Sequence, residues 1–162
     1  SITMATKITS GKLNISVTES VTVSGVEHNY TNVRSVSGIN NVTHRIMRTL
    51  GDGTELLLVQ FAAAVALGQL VDGQAKYVRV TNLDDTNLLR LIIKDAAGIA
   101  TFHLAAGETM IFNNQKYDGR HDNTVGSIAY ADMDSVSVVG RNAADGAAAA
   151  VDVEIFVAST QS

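Results

Sequence analysis

The stretch VDVEIFVA, residues 151–158, indicates the fold most directly. Branched aliphatic side chains recur in it at every second position, from Val151 to Val157, with other residue types between them. An alternation with a period of two places one set of side chains on each face of an extended chain, which is typical of a strand with one face in the core. The segment therefore predicts a β-strand.

The same period recurs near the N-terminus, where Leu13, Ile15 and Val17 alternate with polar residues and Val21 and Val23 continue the pattern. This region predicts one half-buried strand, or two strands with a bend. Five further segments are short and rich in apolar or β-branched residues, and each predicts a strand. They are Tyr77–Thr81, Leu88–Lys94, Ala100–Leu104, Glu108–Phe112 and Ser135–Val139.

Turn signals separate the predicted strands. Four Asp-Gly pairs favour tight turns, because both residues tolerate a positive φ. The pairs are Asp52-Gly53, Asp72-Gly73, Asp118-Gly119 and Asp145-Gly146. Short strands with regular turns indicate a sandwich or barrel, and we predict an all-β fold, an antiparallel β-sandwich of jelly-roll type.

Two regions are less regular. Glu55–Ala62 is apolar and shows no polar stripe at helical spacing, so we interpret it as a buried strand, while Ala63–Leu70 stays unassigned. Arg141–Ala150 predicts a loose connection between the last two strands, since its run of Ala is too short for an independent helix.

The predicted organisation is a flexible N-terminal arm, residues 1–12, followed by one β-sandwich domain, residues 13–162. A polar end such as Ser1–Lys12 is usually disordered. In an assembly it could instead dock on a neighbouring copy.

Composition excludes several classes of function. The chain has no Cys, which excludes disulfides, zinc ribbons, iron–sulfur clusters and thiol catalysis. The net charge of −4 offers no electrostatic footprint for nucleic acid. No stretch approaches the roughly 20 apolar residues that span a membrane. We therefore expect neither nucleic acid nor a membrane as a partner.

The 162 residues also contain no Pro, whereas average usage predicts about eight. Proline and charge commonly protect edge strands from pairing with other chains, and only 17% of the residues are charged. We therefore expect the sheet edges to be paired or covered, as in a protein that associates with itself.

One loop collects groups that could bind a ligand, namely Tyr117, Asp118, Arg120, His121 and Asp122. Together with the amide of Asn123, these acidic and basic side chains could hold a cation or a sugar, and the alternative interpretation is a solvated turn. The spacing does not match an EF-hand loop. We expect no bound metal and no other cofactor.

No motif predicts catalysis. The four histidines, at positions 28, 44, 103 and 121, form no HExxH or H-x-H pattern, and Gly126-Ser127 lacks the second Gly of a nucleophile elbow. Aromatic residues make up only 5% of the chain, with no Trp, which argues against a sugar cleft. We expect no enzymatic activity. A hydrolase built from unplaced acids and histidines is an alternative.

Several segments follow one another in a recognisable order. They are Tyr77–Asp84, Leu91–Ile93, Phe102–Thr109, Ile128–Ala131 and Val153–Ala158. In this order they resemble small β-rich structural proteins of tailed-bacteriophage virions, especially those of cyanophages. The resemblance lies in strand edges and turns, and carries no catalytic residue.

The resemblance implies a non-enzymatic virion protein, assembled in the host cytoplasm. It implies a capsid decoration or cement protein that forms homo-oligomers, with a trimer favoured, and binds the major capsid protein or another virion protein. The alternative is a tail or head-fibre component that binds a host surface or a carbohydrate.

Overall fold

The computed structural model describes residues 10–63, 68–96, 98–117 and 130–161. These residues form thirteen β-strands and no helix. The chain divides into two compact units, Ser1–Asn40 and Asn41–Ser162.

The first unit is a long two-stranded hairpin. Strand β1 (Gly11–Val23) pairs antiparallel with β2 (Val26–Ile39) along its whole length. The two turn residues, Ser24 and Gly25, have φ values of 51° and 77°. A type I′ turn requires positive φ at both central positions, so this dipeptide fixes the hairpin register. The turn is not predicted from sequence, where a bend between two strands is one alternative; type I′ turns prefer Asn-Gly, Asp-Gly or Gly-Gly over Ser-Gly.

Strand β1 differs from its prediction in two respects. Gly11 and Lys12, assigned by sequence to the arm, are its first residues, and residues 1–9 lie outside the described part of the chain. The boundary between the two units follows Asn40, well after the predicted domain start. The strand is also largely exposed instead of half-buried, and among the described strands it pairs with β2 alone.

The second unit contains the remaining eleven described strands. They are β3 (Asn41–Arg48), β4 (Leu56–Ala62), β5 (Gln69–Val71), β6 (Ala75–Asn82), β7 (Leu88–Lys94), β8 (Ile99–Leu104), β9 (Thr109–Phe112), β10 (Lys116–Tyr117), β11 (Ala131–Asp132), β12 (Ser135–Arg141) and β13 (Asp152–Ser159). The predicted strands correspond to β4, β6, β7, β8, β9, β12 and β13, and these predictions are confirmed. Within the unassigned segment 63–70, β5 begins at Gln69.

Two sheets form a sandwich. The four-stranded sheet has the order β3-β13-β6-β9, and the five-stranded sheet has the order β5-β4-β12-β7-β8. All pairings within them are antiparallel except that of β4 with the short edge strand β5. Without β5, the two sheets have the strand order of a jelly roll, in which β12 and β13 insert between strands formed earlier. The predicted all-β sandwich is confirmed.

The core lies between these two sheets. The stretch 151–158 behaves as its alternation predicts, since Val153, Ile155 and Val157 are fully buried while Glu154 and Phe156 are partly exposed. The buried core residues of the other strands include Leu58, Val78, Val80, Leu89, Leu91, Ile93, Leu104, Val136 and Val138.

The described turns and loops between strands also agree with those predicted from the sequence. In three Asp-Gly pairs the glycine, Gly53, Gly73 or Gly146, has a φ between 73° and 84°. The pair at 118–119 lies outside the described residues. The predicted connection, Arg141–Ala150, begins at the last residue of β12, and its remaining residues form a loop with one isolated bridge, between Arg141 and Ala148.

Candidate interaction surfaces

Tyr117, the first residue of the predicted ligand loop, ends β10 and packs against the core. Its hydroxyl lies 3.0 Å from the carbonyl oxygen of Gly98 and 3.4 Å from that of Ile93. Burial and the neighbouring Asp95 carboxylate raise the pKa of Tyr117 well above its ordinary value. The hydroxyl is therefore a protonated donor engaged within the protein.

The rest of the predicted loop lies outside the described residues, and its binding role stays a prediction. These residues are Asp118, Arg120, His121 and Asp122. Beside the loop, Lys116 Nζ lies 2.7 Å from Asp132 Oδ1. No group of three or more His, Cys, Asp or Glu that could hold a metal ion occurs among the residues that the structure describes.

Three of the four histidines are described, and each lies on a different strand. His28 is on β2, His44 on β3 and His103 on β8. His103 lines a groove of ≈ 380 Å³. The described lining residues of this groove contain no carboxylate; they are Leu88, Leu89, Arg90, Thr101, Phe102, His103 and Arg141. A hydrolytic site would need an acid paired with the histidine, and none of these residues supplies it.

An aromatic and charged cluster lies on the outer face of the four-stranded sheet. Phe156 on β13 is opposite His44 of β3 on one side and Arg79 of β6 on the other. The Phe156 ring centroid lies 6.0 Å from those of His44 and Tyr77, and 5.7 Å from the guanidinium carbon of Arg79. Edge-on ring contacts and a cation over a ring face are both favourable, so this ring is held from three sides.

Glu154 joins the two basic side chains of the cluster. Its Oε2 atom lies 2.9 Å from His44 Nε2, and its Oε1 atom accepts a hydrogen bond from Arg79. Arg79 also donates to the hydroxyl of Thr81, over 2.8 Å. The hydrogen bonds from His44 and Arg79 hold the pKa of Glu154 below its ordinary value.

We expect Glu154→Gln to lower the free energy of unfolding by about 1 kcal/mol near neutral pH, because Arg79 and His44 lose a charged acceptor. The pKa of Glu154 is lowered in the folded state. Its contribution is therefore complete above the pKa of the unfolded chain and disappears as the pH falls through the folded value. Urea unfolding measures this: the difference in free energy of unfolding between wild type and variant should decrease from about pH 6 to about pH 3.

The control for this experiment is Glu108→Gln. The Glu108 carboxylate accepts a hydrogen bond from the Ala105 backbone amide over 3.1 Å, and a Gln side-chain oxygen can replace that acceptor. A gap for Glu154→Gln that stays constant down to acid pH, or a similar loss in the control, would contradict the assignment.

Exposed apolar side chains border the cluster on edge strand β3. Val42 and Ile46 are 55% and 64% exposed and share the outer face with His44, because side chains alternate along a strand. Among the described strands β3 pairs only with β13 and is the terminal strand of its sheet. We define the outer patch as Val42, His44, Ile46, Arg79, Glu154 and Phe156.

The hairpin has two faces of different chemistry. The apolar hairpin face comprises Leu13, Ile15, Val17, Glu19, Val21 and Val23 of β1, opposite Val36, Arg34, Asn32, Tyr30, His28 and Val26 of β2. The polar hairpin face comprises Lys12, Asn14, Ser16, Thr18, Ser20 and Thr22, opposite Ser37, Ser35, Val33, Thr31, Asn29 and Glu27. On the polar hairpin face, hydroxyl and amide groups bond across the strands, as between Ser20 and Asn29.

The described residues include no helix that is long and apolar enough to cross a membrane. No protein-family model, no curated protein and no solved structure matches the chain.

Proposed function

We propose that the chain is a non-enzymatic structural protein of a bacteriophage virion, a capsid decoration or cement protein that binds the major capsid protein and associates with itself. The observation that carries the proposal is the jelly-roll order of the two sheets, since this fold recurs in viral capsid domains. Because one fold can serve many functions, the surfaces must provide independent support.

The outer patch supplies that support. Interfaces between proteins are enriched in aromatic and Arg side chains, and their charges are costly to bury unless they are already paired. Phe156 and the exposed aliphatic residues Val42 and Ile46 offer apolar area, while Arg79 and Glu154 neutralise each other. We therefore assign the contact with the shell to the outer patch.

The terminal position of β3 in its sheet suggests a second mode of contact. A strand with one free side can pair with an extended segment of another protein through main-chain hydrogen bonds. Three-residue β5 is too short for such pairing, whereas β3 has eight residues. A shell segment paired along β3 would lie directly beside Ile46.

We expect Ile46→Asp to weaken binding to empty capsids by about 30-fold, or about 2 kcal/mol, because it places a charge at the centre of the contact. Co-sedimentation of the purified protein with empty capsids measures this. The matched control is Ile99→Asp, which alters an aliphatic residue of similar exposure, 55% against 64%, on edge strand β8 of the other sheet. Absence of wild-type binding would overturn the proposed function, and equal weakening by both variants would overturn the assignment to the outer patch.

A further inference from the structure

The β1–β2 hairpin has no hydrophobic core of its own, because it consists of only two paired strands. A two-stranded hairpin is marginally stable at best in water, yet β1 and β2 pair over thirteen residue pairs. Along the apolar hairpin face, Val17, Val21, Val23, Val26 and Tyr30 are between 42% and 65% exposed. A ribbon of this length with one apolar face requires a surface that covers that face.

We infer that the apolar hairpin face is the surface through which the protein associates with itself, so that copies of this chain cover one another there. The inference rests on the proposed function and deepens it by naming the element that makes the oligomer. The hairpin would then bind other copies of the chain, while the outer patch on the jelly roll would bind the shell.

The area of the apolar hairpin face can be compared with the area that two copies of the chain would need to bury. Thirteen residue pairs at about 3.4 Å each give a ribbon about 44 Å long, and two strands about 4.8 Å apart give a face about 10 Å wide. Two copies packed face to face would bury on the order of 900 Å² in total, close to the lower end of the range of about 1,200–2,000 Å² that specific interfaces bury. We therefore expect an association that depends on protein concentration.

The charges on the apolar hairpin face are also compatible with packing against another copy of the chain. The apolar hairpin face bears one acid, Glu19, and one Arg, Arg34, four positions apart along the ribbon because Arg34 is opposite Ile15. These opposite charges leave the face close to neutral, so that copies do not repel one another. The two groups lie two positions on either side of Val17, so in two copies packed antiparallel about Val17 the Glu19 side chain of each copy would approach Arg34 of the other.

The first test compares two double variants that introduce the same charge on opposite faces. We expect Val17→Glu/Val21→Glu to reduce the self-association constant by at least about 100-fold, measured by sedimentation velocity. Thr18→Glu/Thr22→Glu, one residue further along the same strand on the polar hairpin face, should change it by less than about 3-fold. The thermal transition of the jelly roll, followed by circular dichroism, verifies that both proteins fold.

The second test uses the absence of Cys from the chain, so that a single introduced thiol is unique. Mild oxidation should join copies of Val17→Cys by a disulfide, because Val17 is the middle of the thirteen residue pairs and packing of two copies about a two-fold axis brings their middle positions together. Thr18→Cys should remain unlinked under the same conditions. This test holds even if the charged double variant fails to fold.

The outcomes separate the inference from the proposed function. A wild-type oligomer that persists in Val17→Glu/Val21→Glu, with no disulfide in Val17→Cys, overturns the inference and leaves the proposed function standing. A monomeric wild type that still binds empty capsids overturns the inference together with the self-association in the proposed function, and leaves the proposed binding to the capsid standing. A wild type that neither associates nor binds capsids overturns both.

Discussion

Gly140→Ala is expected to lower the free energy of unfolding by about 3 kcal/mol or more, because its added methyl group has no room. A Cβ atom there would overlap the carbonyl oxygen of Ala149 and the hydroxyl of Thr49, and would lie 3.0 Å from Val151 Cγ2. Neither neighbour can withdraw easily. Thr49 is buried and accepts a hydrogen bond from the Val151 amide over 2.8 Å, and the Ala149 amide donates to the Gly140 carbonyl over 3.1 Å.

Urea denaturation of wild type and variant measures the loss. The matched control is Gly51→Ala, where a Cβ atom meets only ordinary contacts, the nearest at 3.7 Å to the Ala150 amide nitrogen. That substitution should change the free energy of unfolding by no more than about 1 kcal/mol. A similar effect at both glycines would show that β12 and the loop before β13 are not packed as described.

Asn82→Asp is expected to lower the free energy of unfolding by about 3 kcal/mol or more at neutral pH, although it exchanges only an amide for a carboxyl group. Asn82 is fully buried, and its Nδ2 donates to the carbonyl oxygens of Asn87 and Leu104, each over 3.0 Å. Its Oδ1 accepts from the Asp84 amide over 2.9 Å. An introduced carboxylate keeps the last bond but faces two carbonyl oxygens without a donor.

The pH dependence distinguishes this cause from a packing defect. Burial without a donor raises the pKa of the introduced carboxyl group in the folded state, so the destabilisation is smallest at acid pH and grows as the pH rises. The control, Asn114→Asp, changes an exposed amide whose Oδ1 only accepts from the Lys116 amide over 2.8 Å. We expect little change there, and a pH-independent loss at Asn82 would contradict the hydrogen-bond account.

Much of the jelly roll could be predicted from local pattern. Where alternation coincides with burial, as in 151–158, the period of two determines both the strand and its inner face, and the Asp-Gly pairs mark the turns between strands. The hairpin shows the limit of that pattern. The alternation of Leu13, Ile15 and Val17 predicts a strand but cannot distinguish a face that packs in the same chain from one left exposed.

The candidate surfaces could not be predicted, because they depend on the register of distant strands. His44 and Glu154 are 110 residues apart in sequence and meet only because β3 and β13 are neighbours. Phe156 likewise gains its contacts with Tyr77 and His44 from two different strands. From sequence alone we instead predict a ligand-binding loop after Tyr117, because its polar residues are adjacent in the chain.

A cryo-electron-microscopy map of the intact phage particle tests the central claim most directly. The account predicts that residues 41–161 appear as jelly rolls in symmetric groups on the outside of the capsid shell. In those groups the outer patch should lie against the major capsid protein, and the β1–β2 hairpins of neighbouring copies should pack together. A map that accounts for every shell protein and contains no copy of this chain, on the capsid or elsewhere in the particle, would contradict it.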